Sequence, residues 1–217
     1  MGTVPGMTDR DVLLAERAAM CDSFERFGAD APTLCEGWTA ADLAAHLVVR
    51  EHDPRAMPGI ILGGKLGDYT EKLMAREKAK GFEAMVARLR AGPPKLMMLG
   101  PGARLNVNEN FIHHEDLRRA NGEGPRPVDP VLDDVIWSGL GFAGKMSARA
   151  VKDAGLELID PVGHRRRTIR KGAPTVTMSG PAGELTLFLS GRKDAAHVEL
   201  DGDAAAVARV RDAGFGI

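Results

Sequence analysis

The 217-residue sequence predicts a mostly α-helical protein, an antiparallel four-helix bundle over residues 7–153 followed by a small α+β module over residues 155–217. Three observations carry this reading. Apolar residues recur at helical spacing through the first two thirds of the chain. Cap residues, glycines and prolines divide that pattern into separate segments. Beyond about residue 155 the texture changes to short β-rich runs interleaved with short helical ones.

The first helix starts at Thr8 and ends near Phe27-Gly28, with Leu13, Met20, Phe24 and Phe27 on one stripe and Arg17 free to snorkel from its gap. In LCEGWTAADLAAHLVVRE, Gly37 and Trp38 break the chain, and Thr39 with Asp42 forms a capping box that opens the second helix. Leu43, His46, Leu47 and Arg50 share one face of it. After Pro54 and Pro58, ILGGKLG reads as a mobile connection, and Tyr69 to Arg90 as a third helix, broken at Gly81. A fourth helix runs from about Arg104 to Ala120 and stops at Asn121-Gly122. Short connections between four such helices imply an antiparallel bundle.

A further helix is expected over Val131 to Asp153, belonging to the bundle or bridging to the C-terminal module. After it LELIDP, RRTIRK and TVTMSG read as strands, PAGELTLFLSG as a helix, AHVELDGD as a strand and AAAVARVRDAG as a last helix. Residues 1–6 show no periodicity and read as a frayed extension.

With 29 basic and 30 acidic residues the formal charge is −1, so no global field recruits nucleic acid or an acidic membrane. The run His164-Arg165-Arg166-Arg167 is the one basic patch, read as a solvated strand or turn. No apolar run is long enough to span a membrane and no signal-like leader is evident, which points to the cytoplasm. Two unpatterned cysteines, Cys21 and Cys35, fit reduced thiols better than a disulfide, and neither has an activator visible in the sequence.

The stretch NENFIHHEDLRR places His113 and His114 about 100° apart on one helix. Leu105, Glu109, Ile112, His113 and Asp116 share a side, expected to face the core, whereas His114 lines up with Asn110, Leu117 and Arg118. Glu109 and His113 are i,i+4 neighbours whose oxygen and nitrogen can converge on one point. Spacing alone is weak evidence: 6 histidines and 30 acids give roughly two acid/histidine pairs four apart by chance. Only Glu109/His113 lies in an unbroken helix interior with both groups free, since Asp42 of Asp42/His46 is occupied by its capping box. A buried Glu109 needs a partner, and His46, flanked by small Ala44 and Ala45, is the natural third group. Two histidines and a glutamate suit a divalent metal with open positions for water and substrate. A hydrogen-bonded core histidine, or a Glu/His ion pair without metal, satisfies the same pattern. The zincin pattern H-E-x-x-H is absent, because Arg118 stands where its second histidine is required.

LCEGWTAADLAAHL followed by NENFIHHEDLRR resembles the DinB-like superfamily and, within it, the mycothiol-dependent maleylpyruvate isomerase-like proteins of actinobacteria. There a G-W-T-x-x-D-[LV]-x-x-H-[LV] segment supplies one metal histidine, and E-x-x-x-H-x-x-D supplies a glutamate and a second histidine. The matching residues are His46, Glu109 and His113, with Asp116 closing the second motif. GPAGELTLFLSGR and VELDGD resemble the family's C-terminal domain, similar to a sterol carrier protein fold. Arg192 resembles a family arginine near the active site. The segment REHDPRAMPGIILGGKLGDYTEKL departs from the isomerase, so its substrate does not carry over.

The resemblance implies a metal, most readily Zn2+ with Ni2+ or Fe2+ as substitutes, and mycothiol as co-substrate. It implies a thiol-dependent S-transferase or isomerase that acts on an electrophile, with Asp116 orienting a ligand or acting as base and Arg192 anchoring an anionic group. The alternative is a metal-binding or sensing protein without turnover. A homodimer is compatible with both, and nucleic-acid binding through residues 164–167 is the weakest reading.

Overall fold

The computed structural model describes residues 7–56, 59, 64–98, 100–127 and 129–216. The protein is mostly helical with one small sheet and divides into two compact units, Met1–Arg126 and Pro127–Ile217.

In the first unit, α1 (Asp9–Phe27) and α2 (Ala40–His52) both open on capping boxes. The Thr8 and Thr39 side chains accept from the backbone N–H groups of Asp11 and Asp42, whose carboxylates accept in return from the threonine N–H. Each such cap contributes about 1 kcal/mol and sets where its helix starts. The third helical stretch is two helices, α3 (Gly64–Lys78) and α4 (Phe82–Arg90), separated at Gly81, whose φ of 96° ends one helix and lets the next begin. Gly64 to Gly67, expected as a mobile connection, form the first turn of α3, while residues 61–63 of that segment and residues 1–6 lie outside the described residues. α5 (Gly100–Ala120) starts a turn earlier than its periodicity suggests and stops as expected: Gly122 has φ 82° and Glu123 N–H donates to the Arg118 carbonyl.

α1 packs on α4 and α5, and α2 packs on α3 and α4. Met20, Phe24, Leu43, Leu47, Val48, Met85, Leu89 and Leu117 form the centre of the core. Arg17, expected to snorkel to solvent, is instead buried. Its guanidinium pairs with the buried Glu51 carboxylate of α2 and donates to the Leu89 carbonyl at 3.1 Å. A charge taken out of water must find such a partner, and the one-residue gap in the apolar stripe of α1 is filled by this ion pair.

In the second unit, β1 (Gly155–Asp160), β2 (Arg165–Arg170), β3 (Thr175–Ser179) and β4 (Glu199–Asp201) make a sheet of order β2-β1-β3-β4. β1 pairs antiparallel with β2 and parallel with β3, and β4 runs antiparallel to β3. The helix expected over Val131–Asp153 is broken into α6 (Pro130–Gly139), α7 (Ala143–Ser147) and a 3-10 turn at Ala148–Ala150. The break falls at Gly139 to Gly141, two poor helix formers around Leu140. α8 (Ala182–Leu189), buried along its whole length, joins β3 to β4, and α9 (Ala204–Asp212) closes the chain.

The division into units therefore falls at Arg126/Pro127 and not near Gly155. α6 belongs with the sheet because it packs on α8, and because the guanidiniums of Arg165 and Arg167 lie over the Trp137 ring of α6, at 5.0 and 4.9 Å from its centroid. The same contacts correct the reading of the basic run. Arg165 is engaged by Asp133, Asp134 and Asp160, and Arg167 donates to the Trp137 carbonyl, so half of the run is committed to packing. Among the described residues no helix is long and apolar enough to cross a membrane.

The first unit is tied together at its end by Arg126, which donates to Glu16 of α1 and Glu115 of α5. Burial pushes both carboxyls up, but hydrogen bonds outweigh it and hold both below their usual range: His114 and Arg126 act on Glu16, Arg119 and Arg126 on Glu115. Such a depressed group contributes stability in full above the unfolded carboxylate pKa of about 4.3, and that contribution is lost as pH falls from there through the lower folded value. Arg126→Ala should therefore cost on the order of 3 kcal/mol at pH 7 by leaving two buried carboxylates under-compensated. In denaturant titrations that cost should shrink as pH is lowered below 4. An unchanged difference at low pH would contradict this assignment.

Candidate metal centre

α2 brings His46 to the site. One turn before it, Asp42 is held by Thr39 and by Lys78, so it does not compete for the imidazole. Ala44 and Ala45 are buried, and His46 itself is only 7% exposed. Its ring centroid lies 5.1 Å from that of Trp38, in the loop before α2, and 5.3 Å from that of His113 on α5. The indole thus backs one side of His46 while the second imidazole meets it edge-on.

α5 supplies Glu109, His113 and Asp116. His113 is 7% exposed and engaged at both ring nitrogens: Nδ1 lies 2.9 Å from Asp116 Oδ2, and Nε2 lies 3.3 Å from Glu109 Oε1. Asp116 is fully buried. Its backbone carbonyl accepts from Leu34 N–H at 3.1 Å, which pins the loop before α2 against α5. Glu109 is the partly exposed member and receives Arg50 Nε at 3.1 Å. Arg50 also donates to the Asn106 side-chain oxygen at 2.7 Å. Burial pushes the Glu109 carboxyl up, but the hydrogen bond from His113 and the charges of Arg50, His113 and His46 win, holding it down at about 2. For His113 burial favours the neutral ring, whereas Asp116, Cys35 and Glu109 together raise it well above its ordinary value.

His46, Glu109 and His113 offer ligand atoms that all lie within 4.8 Å of one another. Two imidazoles and an ionised carboxylate are a donor set for a borderline divalent metal, and three protein ligands leave coordination positions open. Asp116 behind Nδ1 is the carboxylate that commonly fixes the tautomer and aim of a ligating imidazole. The residues present thus fit the metal that the resemblance implies. Without one, the same contacts form an ion-pair network of His113 and Arg50 with the two carboxylates.

His114 has a different job. It is 3% exposed and points to α1, where Nδ1 lies 2.8 Å from Glu16 Oε1 and Nε2 lies 2.9 Å from Ser23 Oγ. The two histidines face different helices, His113 toward α2 and His114 toward α1, but both are buried and the expected core face of α5 needs correcting. Leu105, placed on the inward side, is 51% exposed, and the apolar side of α5 is carried by Ala103, Val107, Phe111 and Leu117. His113 instead meets the His46 ring and the side chains of Cys35, Asp116 and Glu109.

Two residues of the site escaped the sequence reading. Arg50 was visible on the His46 face, four residues on, but nothing in the spacing pointed to Glu109 as its partner. Cys35 Sγ lies 3.3 Å from Asp116 Oδ2, a contact made by loop closure and invisible in any local pattern. Arg192 lies in the second unit, partly buried, with its guanidinium donating to the Ser190 carbonyl at 2.6 Å.

No family model matches the chain, and no curated protein matches it. Two solved structures do. One is described as a crystal structure of the mycothiol-dependent maleylpyruvate isomerase, with TM-score 0.58 and 16% identity. The other is a histidine-to-alanine variant under the same description, with TM-score 0.59 and 15% identity. Each match covers 92% of this chain and 96% of the other. At this identity the likeness is one of fold, and the fold is that of the family whose motifs the sequence resembles.

Proposed function

We propose that the chain is a divalent-metal-binding protein that works as a low-molecular-weight-thiol-dependent S-transferase or isomerase. The observation that carries the proposal is the convergence of His46, Glu109 and His113 from two helices, backed by a carboxylate on the far nitrogen of His113. The fold likeness to a mycothiol-dependent isomerase supports the thiol. Zn2+ is the metal that suits the site best, with Ni2+ and Fe2+ able to replace it, because the donor set does not discriminate strongly among borderline ions. Bound there, such a metal would supply Lewis acidity and lower the pKa of a thiol that ligates it.

The chain's own residues do the rest. Asp116 holds His113 in one tautomer by accepting from Nδ1–H, and Arg50 keeps Glu109 ionised and aimed. Trp38 covers His46 and keeps water from that side. The partly exposed Glu109 marks the side from which a thiol and an electrophile would enter. The resemblance also gives Arg192 the role of anchoring an anionic group of the electrophile.

Protein purified without a histidine tag should bind one equivalent of Ni2+ by calorimetry. His46→Ala and His113→Ala should each abolish that binding, while His114→Ala should keep it and lose thermal stability instead, since it leaves Glu16 and Ser23 without their partner. Loss of Ni2+ in His114→Ala with a native circular dichroism spectrum would show that the wrong histidine has been assigned.

Turnover and passive metal binding are separated by the thiol. A cobalt-substituted Cys35→Ser protein, in which Cys35 cannot furnish the sulfur, should develop a sulfur-to-metal charge-transfer band on titration with mycothiol. No band at saturating thiol would leave a metal-binding protein without thiol chemistry as the better account. Arg192→Ala should leave the band intact and weaken an anionic electrophile by about 1.5 to 3 kcal/mol, the loss of one charged hydrogen bond.

A further inference from the structure

Cys35 occupies a defined place. Its backbone N–H donates to Thr33 Oγ at 3.2 Å, the Trp38 N–H donates to its carbonyl at 3.0 Å, and the neighbouring Leu34 N–H is bonded to the Asp116 carbonyl. This tight loop delivers Sγ to Asp116 Oδ2, which also carries His113 Nδ1. Cys35, His113 and Asp116 therefore form a second group whose ligand atoms all lie within 4.8 Å of one another. It shares only His113 with the first group, and it uses the opposite ring nitrogen.

We propose that Cys35, His113 and Asp116 form a second cation position, selective for a soft divalent ion, whose occupancy excludes the first. The selectivity follows from the sulfur: a thiolate with one imidazole and one carboxylate favours ions such as Cd2+ over Ni2+, whereas the His46 set has no sulfur. Binding releases two protons, one from the Cys35 thiol and one from His113 Nδ1 of the metal-free ion-pair network, and the sulfur, Nδ1 and a carboxylate oxygen become the ligands. Exclusion follows from the imidazole. A neutral ring has one lone-pair nitrogen and one N–H. With a cation on Nε2, Nδ1–H donates to Asp116; with a cation on Nδ1, Nε2–H donates to Glu109, and the first set loses a ligand. Both alternative hydrogen-bond acceptors are already in place. His113 is thus a two-position switch through which a soft metal would disable the proposed thiol site. The exclusion rests on that proposed site, but the second position itself does not.

Cys21 cannot substitute for Cys35. It is fully buried in the core against the Val86 carbonyl, and burial pushes its thiol up to about 11.

The test uses Cd2+ alone as the probe on the full chain, read by the ultraviolet sulfur-to-cadmium charge-transfer band. His46→Ala, which cannot form the first set, should still bind one Cd2+ with the full band, and should not bind Ni2+. Adding Cys35→Ser to His46→Ala should remove the band, and Cys35→Ala should do the same if the serine variant fails to give a native circular dichroism spectrum. Absence of the band in His46→Ala would overturn the proposal, as would a band that survives both Cys35 substitutions. Failure of Ni2+ binding in the unaltered protein would instead count against the first site and leave the Cd2+ result standing.

Discussion

The site depends on one ring held from both sides. His113 has Asp116 at Nδ1 and Glu109 at Nε2, and these two contacts fix the orientation of the ring. Hydrogen bonds to charged groups are worth about 1.5 to 3 kcal/mol each, enough to outweigh the rotamer freedom the imidazole gives up. Everything else is arranged about that ring. Asp116 is fully buried and tied through its carbonyl to the loop that caps α2, so the helix bearing His46 and the helix bearing His113 are registered against each other. Arg50, one turn beyond His46, reaches across to Glu109 and closes the arrangement from the other end.

The adjacent histidines show how a helix divides labour between neighbours. The 100° step between them sends His113 to α2 and His114 to α1. His114 is the more deeply buried of the two, and it joins Glu16, Ser23 and, through Glu16, Arg126 in a network that holds α1 to α5. Burial alone would have favoured His114 as the important residue. What distinguishes them is the company each keeps: His114 meets a carboxylate and a hydroxyl inside the core, whereas His113 meets a second imidazole and a partly exposed carboxylate at its edge.

Features set by a few consecutive residues were the most legible in the sequence. The Thr39/Asp42 capping box, the break at Gly81 and the stop at Gly122 each follow from local backbone chemistry and are found where expected. Helical spacing paired Glu109 with His113 on one helix and put His46 on the apolar face of another, and the ligand atoms of the three lie within 4.8 Å of one another. Features set by how segments meet were not legible. Arg17 looked like a snorkelling side chain because Glu51, its partner, comes from another helix. The unit boundary was misplaced because Trp137 commits α6 to the sheet through arginines almost thirty residues away. Cys35 reaches Asp116 only because Leu34 is bonded to the same residue's carbonyl. In each case the deciding contact is made between segments whose patterns are independent.

The central claim is that His113, and not His114, presents a nitrogen to a metal together with His46 and Glu109. A crystal structure of the protein soaked in Ni2+, with anomalous scattering recorded at the metal edge, tests this most directly. The expected result is a single strong peak bonded to His46, Glu109 and His113 Nε2, with Asp116 still on Nδ1 and His114 still on Glu16. A peak on His114, or no peak between α2 and α5 at full soaking, would contradict it.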